Sequence, residues 1–346
     1  MFSVSVAAIT PVLITCAVAG QFTPQTAVSI DGAKFLINGK LTYESCNPEA
    51  SGRLMNVRMV NSVFDDENPG TRPPGFDAES NTDNFIESMD QYKSKGILAF
   101  TVNLQGGLPG YEKAINTAFR ADASLKDRYM KRVARVIEAA DARGMVIILG
   151  LFYQRQDQIL PDEDAVRKAT ANAAAWVRDK GYTNVIIEIA NEYVHKGFAD
   201  IIRSEDGEIE LMNIVRSTAP GLIVSTSGIG NCLFHEKLCE AADIILIHGN
   251  GSSPDIYHEK VNGYKKYGKP IVFNEDWCFS DDPRRVPDAV QKVTAAFEAG
   301  ASWGIMNEER NQYWPFTFGI GNPEEGGNAK EDFIAYEAIA KLIGNR

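Results

Sequence analysis

The sequence predicts an α/β fold, a (β/α)8 barrel preceded by a short β-hairpin. Eight short apolar runs rich in β-branched residues recur along the chain, and amphipathic helical patterns separate them. The Gly-rich phosphate loop that usually follows the first strand of an open doubly wound sheet is missing, which favours the closed form.

The runs are residues 54–60, 97–102, 145–151, 184–190, 222–225, 243–247, 270–273 and 302–306. Near-continuous apolar strands are what a parallel sheet buried on both faces requires. Between them, 82–95 places Phe85, Ile86, Met89 and Tyr92 on one helical face. Ser124 to Asp127 reads as a capping box, and Tyr129, Val133, Val136, Ile137 and Ala140 follow at helical spacing. Further helices are predicted at 164–180 before Gly181, 198–217 before Pro220, 234–241, 254–267 before Gly268 and 286–299 before Gly300. The last carries Phe333, Tyr336, Ile339, Leu342 and Ile343. Ahead of the first run, Asp31-Gly32 and Asn38-Gly39 sit between alternating apolar residues as hairpin turns, a structural cap for the barrel bottom.

The domain boundaries follow: a leader at 1–19, an extension with the hairpin at 20–50, and the barrel at 51–346. The leader is almost wholly apolar from Val4 to Ala19 and ends in Ala17-Val18-Ala19, a signal-peptidase pattern that predicts a secreted or periplasmic protein. Leu13-Ile14-Thr15 before Cys16 is a poor lipoprotein signal. The remaining Cys46, Cys232, Cys239 and Cys278 show no C-x-x-C spacing and read as buried free thiols, although Cys232 and Cys239 could bridge within one segment.

A formal net charge of −11 with no Lys/Arg-rich run makes nucleic acid and anionic membranes poor partners. Four histidines are too few for a His-rich metal centre, and no metal or cofactor is expected. In a barrel the chemistry gathers where strands end. The fourth run ends Ala190-Asn191-Glu192 and the seventh Phe273-Asn274-Glu275, so each delivers a carboxylate just beyond a buried strand. Placing a charge there costs desolvation unless it is solvated, paired or catalytic. Two carboxyls facing each other across the mouth suit glycoside cleavage, one protonating the leaving oxygen and the other attacking the anomeric carbon. Glu188, inside the fourth strand, is expected to point to the helix layer and to be structural. Asp65-Asp66-Glu67 reads as a solvated loop.

Asn191-Glu192 after the fourth strand and Glu275 after the seventh resemble the signature of the clan A glycoside hydrolases, the cellulase-like retaining barrels. The likeness runs from about Phe35 to the end, and Phe35-Leu36-Ile37-Asn38-Gly39-Lys40 resembles the strand that often precedes these barrels. It implies that Glu192 is the general acid/base, Glu275 the nucleophile and Asn191 a ligand of the sugar 2-hydroxyl. The pattern also departs from the family. The usual supporting Arg is missing from the end of the second strand, and Arg58 in the first can take its place. His248 ends the sixth strand, but Gly249-Asn250-Gly251 replaces the expected aromatic partner. Met306-Asn307-Glu308 ends the eighth strand where a Trp would stand, leaving Trp277, Tyr313 or Trp314 to supply the sugar platform.

The substrate-binding candidates are therefore Asn191, His248, Arg58, Asn103, Tyr153, Trp277, Asn307 and Trp314, with Gln105, Gln154 and Asp157 on the same rim. Two expectations concern the pair itself. The carboxyls should face each other at about 5–5.5 Å. Glu275 should be held ionised by Asn274 or Arg58, while Glu192 titrates higher. The partner is an oligo- or polysaccharide, the bond probed being an O-glycosidic one. The alternatives are an inactive glycan-binding barrel and a metal-dependent barrel hydrolase, whose H-x-H cue is absent from Met59-Val60-Asn61.

Overall fold

The computed structural model describes residues 22–106, 113–277, 286–325 and 328–344. The leader and Cys278 lie outside them. Three short strands, β1 (Val28–Asp31), β2 (Lys34–Ile37) and β3 (Lys40–Leu41), form an antiparallel sheet. Asn38 and Gly39 both take positive φ, 52° and 74°, the backbone a tight two-residue hairpin turn needs.

Eight parallel strands follow: β4 (Asn56–Arg58), β5 (Ala99–Asn103), β6 (Val146–Phe152), β7 (Val185–Ala190), β8 (Ile223–Ser225), β9 (Ile245–His248), β10 (Ile271–Trp277) and β11 (Gly304–Met306). The sheet order is β8-β7-β6-β5-β4-β11-β10-β9, and a parallel bridge between Ser227 and Leu246 joins its two ends. The chain is a (β/α)8 barrel. Its helices are α1 (Ala78–Ser94), α2 (Asp127–Asp141), α3 (Glu163–Lys180), α4 (Glu205–Thr218), α5 (Glu236–Ala241), α6 (Tyr257–Tyr264), α7 (Val286–Ala299), α8 (Glu308–Asn311) and α9 (Asn328–Leu342).

Helix starts differ from the sequence expectation where capping decides them. Ser124 does not cap α2; its N-cap is Lys126, which makes no side-chain cap bond. The α4 helix begins only after Ser204, whose side chain accepts from the Gly207 amide, so a long loop separates it from β7.

The barrel interior is layered. Leu54, Ala99, Val146, Ile148, Ile186, Ile223, Ile244, Leu246 and Val272 fill the lower part together with Phe35 from β2, so the small sheet plugs the bottom. Above them the inward positions turn polar and remain buried: Asn56, Arg58, Thr101, Asn103, Glu188, Ser225 and Asn274. Polar groups this deep are costly unless paired, which directs attention to the upper half. The acidic 65–67 loop is solvated only at Glu67; Asp66 is buried and Asp65 largely so. Asp65 pairs with Arg72 at 2.8 Å and Arg132 at 2.9 Å, Glu67 pairs with Lys126, and buried Asp66 accepts from the Ile115 amide. These contacts bolt the loop after β4 to the approach and body of α2. No helix of the described residues is long and apolar enough to cross a membrane.

Candidate active site

Strand β10 carries the key irregularity. Its pairing with β9 slips by one residue between Phe273 and Glu275. Such a bulge redirects side chains, and here consecutive residues Asn274 and Glu275 both turn toward the barrel axis. Asp276 turns outward instead. It is fully buried and accepts from Tyr257 Oη at 2.6 Å, Lys292 Nζ at 2.9 Å and Trp303 Nε1 at 2.8 Å. That knot ties the end of β10 to α6, α7 and the approach to β11. Gly249 lies against it; a Cβ there would fall 2.4 Å from the Asp276 carboxyl carbon and 2.5 Å from Tyr257 Oη.

Glu192 is presented by strain rather than by a helix start. Its φ is 55°, rare for a side chain with a Cβ, and its amide donates to Ser227 Oγ at 3.0 Å. One oxygen each of Glu192 and Glu275 and a ring nitrogen of His248 all lie within 4.8 Å of one another. Between carboxyls, about 5–5.5 Å fits direct attack, whereas about 6.5–9.5 Å leaves room for an intervening water. Here one oxygen of each carboxyl approaches the other to within 4.8 Å.

His248, fully buried, places Nδ1 3.2 Å from Glu192 Oε1 and 3.7 Å from Glu275 Oε1. Arg58, also fully buried, sets Nε 2.6 Å from Glu275 Oε2, donates from Nη2 to Asn191 Oδ1 at 2.7 Å, and lies 3.9 Å from Glu188. Asn250 Nδ2 donates to Glu275 Oε1 at 2.5 Å. Sequence reading passed over Asn250, treating it only as the replacement of an aromatic residue. The spacing His248-x-Asn250 was the available signal, since alternate residues past a strand end can face one side.

Two expectations are corrected. Glu188 points into the barrel, not to the helix layer, where it accepts from Asn274 Nδ2 at 3.0 Å and faces Arg58. It shares the inward parity of Ile186 on β7. Asn274 is thereby committed to Glu188 and does not hold Glu275.

Charge sets the protonation pattern. Burial pushes the Glu192 carboxyl up, but the hydrogen bond and charge of His248, with Arg58 behind, outweigh it and hold the group below its ordinary value. Glu192 thus titrates lower, not higher, than a free carboxyl. Burial depresses the His248 imidazolium, and the charges of Glu275 and Glu192 reverse that and raise it. His248, drawn toward its charged form by these carboxylates, lies one hydrogen bond from Glu192.

The other candidates distribute around this centre. Tyr153 is buried and its hydroxyl titration is raised by burial first and then by the charge of Glu275. Asn103 lies across Gly150, where a Cβ would be 2.3 Å from its Oδ1, and neither of its amide atoms has a hydrogen-bond partner. Trp314 is 42% exposed, braced edge-on by Phe76 and Phe316. Asn307 is buried with its amide on Asp332 at 2.5 Å. Gln105 is bound to Thr117 and the Gln156 carbonyl. Gln154 is buried. The side chains of Trp277 and Asp157 lie outside the described residues. Cys46, Cys232 and Cys239 are free thiols, with Cys46 exposed.

A family model described as Cellulase (glycosyl hydrolase family 5) matches residues 66–240. Among solved structures the chain is similar to an endo-1,4-beta-D-mannanase from Thermotoga petrophila, with 14% identity and a TM-score of 0.54 over 83% of this chain and 99% of that one. It is also similar to an endo-1,4-beta-mannanase from Rhizomucor miehei, with 11% identity and a TM-score of 0.58 over 91% and 99%. A family 5 glycoside hydrolase from Prevotella bryantii aligns at 12% identity and a TM-score of 0.56 over 87% and 98%. At such identities the structural likeness is one of fold. No curated protein matches the sequence.

Proposed function

From the premise that the chain belongs to glycosyl hydrolase family 5, the cellulase family, and is a glycoside hydrolase, we propose that it is a secreted retaining enzyme acting on β-linked sugars by double displacement. The observation that carries this reading is the short separation of Glu192 and Glu275, within 4.8 Å around His248. The solved mannanases and endoglucanases of the same fold make a β-linked glucan or mannan the first substrates to try. The apolar leader at 1–19 supports export.

In the first step a Glu275 oxygen attacks the anomeric carbon. The bond to the leaving oxygen breaks as Glu192 gives that oxygen a proton. Arg58 and Asn250 hold Glu275 aimed, through Nε and Nδ2. As Glu275 becomes an ester its charge disappears, and with it the largest influence that raises His248. The proton that Glu192 gives to the leaving oxygen is thus supplied by His248 across 3.2 Å, so that one proton moves and Glu192 is left as a carboxylate once the ester has formed. In the second step Glu192 takes a proton from water. The water oxygen bonds the anomeric carbon, and the bond to Glu275 breaks. Asn191, fixed by Arg58, and Asn103, with its amide unpaired, are placed to bind sugar hydroxyls, and Trp314 offers a sugar face.

A screen of aryl β-glycosides and β-1,4-linked polysaccharides, read by proton NMR of the first anomer released, tests the proposal. Retention is expected, and activity should survive chelation. Inversion, loss of turnover with EDTA, or binding of glycans without turnover would each replace it, the second with a metal-dependent hydrolase and the third with a glycan-binding barrel.

A further inference from the structure

Among the described residues, five large hydrophobic side chains are exposed: Ile115, Val194, Ile229, Leu233 and Trp314. All five belong to loops that follow barrel strands, the end of the molecule where Glu192 and Glu275 lie. Helix faces and the plugged bottom contribute none. Single exposed aliphatics need no explanation, but several on loops at the same end of the barrel as a reactive pair do.

Four of the five are aliphatic, and three of those, Val194, Ile229 and Leu233, stem from linked backbone. The Tyr193 amide, next to Val194, donates to the Ser227 carbonyl, and Ser227 Oγ receives the Glu192 amide. Gly228 packs so closely on the 233–234 backbone that a Cβ would lie 1.8 Å from the Leu233 carbonyl oxygen. Ile229 and Leu233 therefore flank one neck. That loop is also held, not slack: Asn231 and Cys232 both sit at positive φ, 65° and 55°, and the Asn231, Cys232 and Phe234 amides donate to Asn250 O, His248 O and Tyr264 Oη. Strain of this kind persists only where the surroundings enforce it. Val194, Ile229 and Leu233 expose 37%, 41% and 48% of their surface despite that anchoring.

Position names the occupant. Glu192, the group that protonates the leaving oxygen, stands between the loops after β7 and β8, which carry these three side chains. The exposed aromatic face that suits a sugar ring, Trp314, stands apart in the loop after β11. We infer that the leaving-group side of the mouth binds an uncharged aliphatic chain, so that the substrate is a sugar joined through oxygen to an alkyl aglycone. This rests on the retaining glycosidase reading and narrows it to a substrate class.

The test compares kcat/KM for methyl, butyl and octyl β-glycosides of the sugar found in the glycoside screen, alongside its aryl glycoside and β-1,4-disaccharide. Burying one methylene is worth about fourfold, so contact with three or four gives roughly 50–250-fold. We expect octyl to exceed methyl by at least about 50-fold, the lower end of that same estimate, about three methylenes. In Ile229→Ser/Leu233→Ser, and separately in Val194→Thr, the octyl advantage should fall by roughly fourfold or more while the methyl glycoside and the melting temperature stay near wild type. Equal octyl and methyl values, with the aryl glycoside or disaccharide cleaved, would overturn the inference and leave the glycosidase reading standing. An octyl advantage untouched by all three substitutions would overturn it too. No turnover of any of these substrates would overturn both.

Discussion

Arg58 and Glu275 form a fully enclosed ion pair, Nε to Oε2 2.6 Å, at the boundary between the apolar floor of the barrel and its open mouth. The same guanidinium reaches Asn191 at 2.7 Å, so one side chain from β4 sets the position of groups from β7 and β10. Lys carries the charge but not the fork. Arg58→Lys should lower kcat by about 10²-fold while the protein stays folded, the loss typical of misaligned electrostatic groups. Arg58→Met should in addition cost about 3–5 kcal/mol by stranding the buried carboxylates. Steady-state kinetics with urea unfolding reads both, and a Lys variant at wild-type kcat would count against the role given to Arg58.

Asn250 supplies the second donor to Glu275. A hydrogen bond to a charged group is worth about 1.5–3 kcal/mol, so Asn250→Ala should reduce kcat/KM roughly 10–150-fold. Asn250→Asp should do worse, since it sets a like charge beside Glu275. The ordering of the two variants in kcat/KM is the check; equal values would show that the amide is not felt.

The strands were readable because each is a continuous apolar run, and the barrel followed from their number and spacing. The pair Glu192 and Glu275 was readable because each stands just past such a run. What could not be read was direction. The slip in β10 turns Asn274 and Glu275 to the same side and sends Asp276 outward, against the alternation that a sequence pattern assumes. Glu188 was misplaced for a related reason: its inward parity depends on where β7 begins. The low titration of Glu192 comes from His248, a neighbour 56 residues away in sequence.

Asp276 and Lys292 are a buried pair whose separation is 2.9 Å. Asp276→Asn takes the negative charge from beside a buried ammonium and should cost about 3–5 kcal/mol. Pairing it with Lys292→Met should recover most of the loss, because both charges then leave together. Denaturant midpoints of the two single variants and the double variant decide; simple additivity would mean that the pair is not coupled.

Glu208 on α4 is fully buried, and burial, against the opposing influence of the Thr226 hydroxyl, raises its carboxyl well above the ordinary range. A folded-state value above the unfolded one favours the fold at low pH, and this contribution is lost as pH rises through the folded value. Glu208→Gln should therefore be more stable than wild type at pH 8, by about 1–3 kcal/mol, with the gap closing toward pH 4. Urea unfolding at the two pH values measures it. A gap that stays constant would show that Glu208 is not the titrating group.

The division of labour between Glu192 and Glu275 is tested most directly by trapping the covalent intermediate. Glu192→Gln, given a dinitrophenyl glycoside whose leaving group needs no proton, should still be glycosylated and should accumulate the adduct on Glu275, found by peptide mass spectrometry. Deglycosylation should be about 10²–10⁴-fold slow for want of a general base. Azide, which needs no base, should restore turnover and yield the β-azide. Glu275→Gln should form no adduct with any leaving group. An adduct on another residue, or full activity in either variant, would contradict the account.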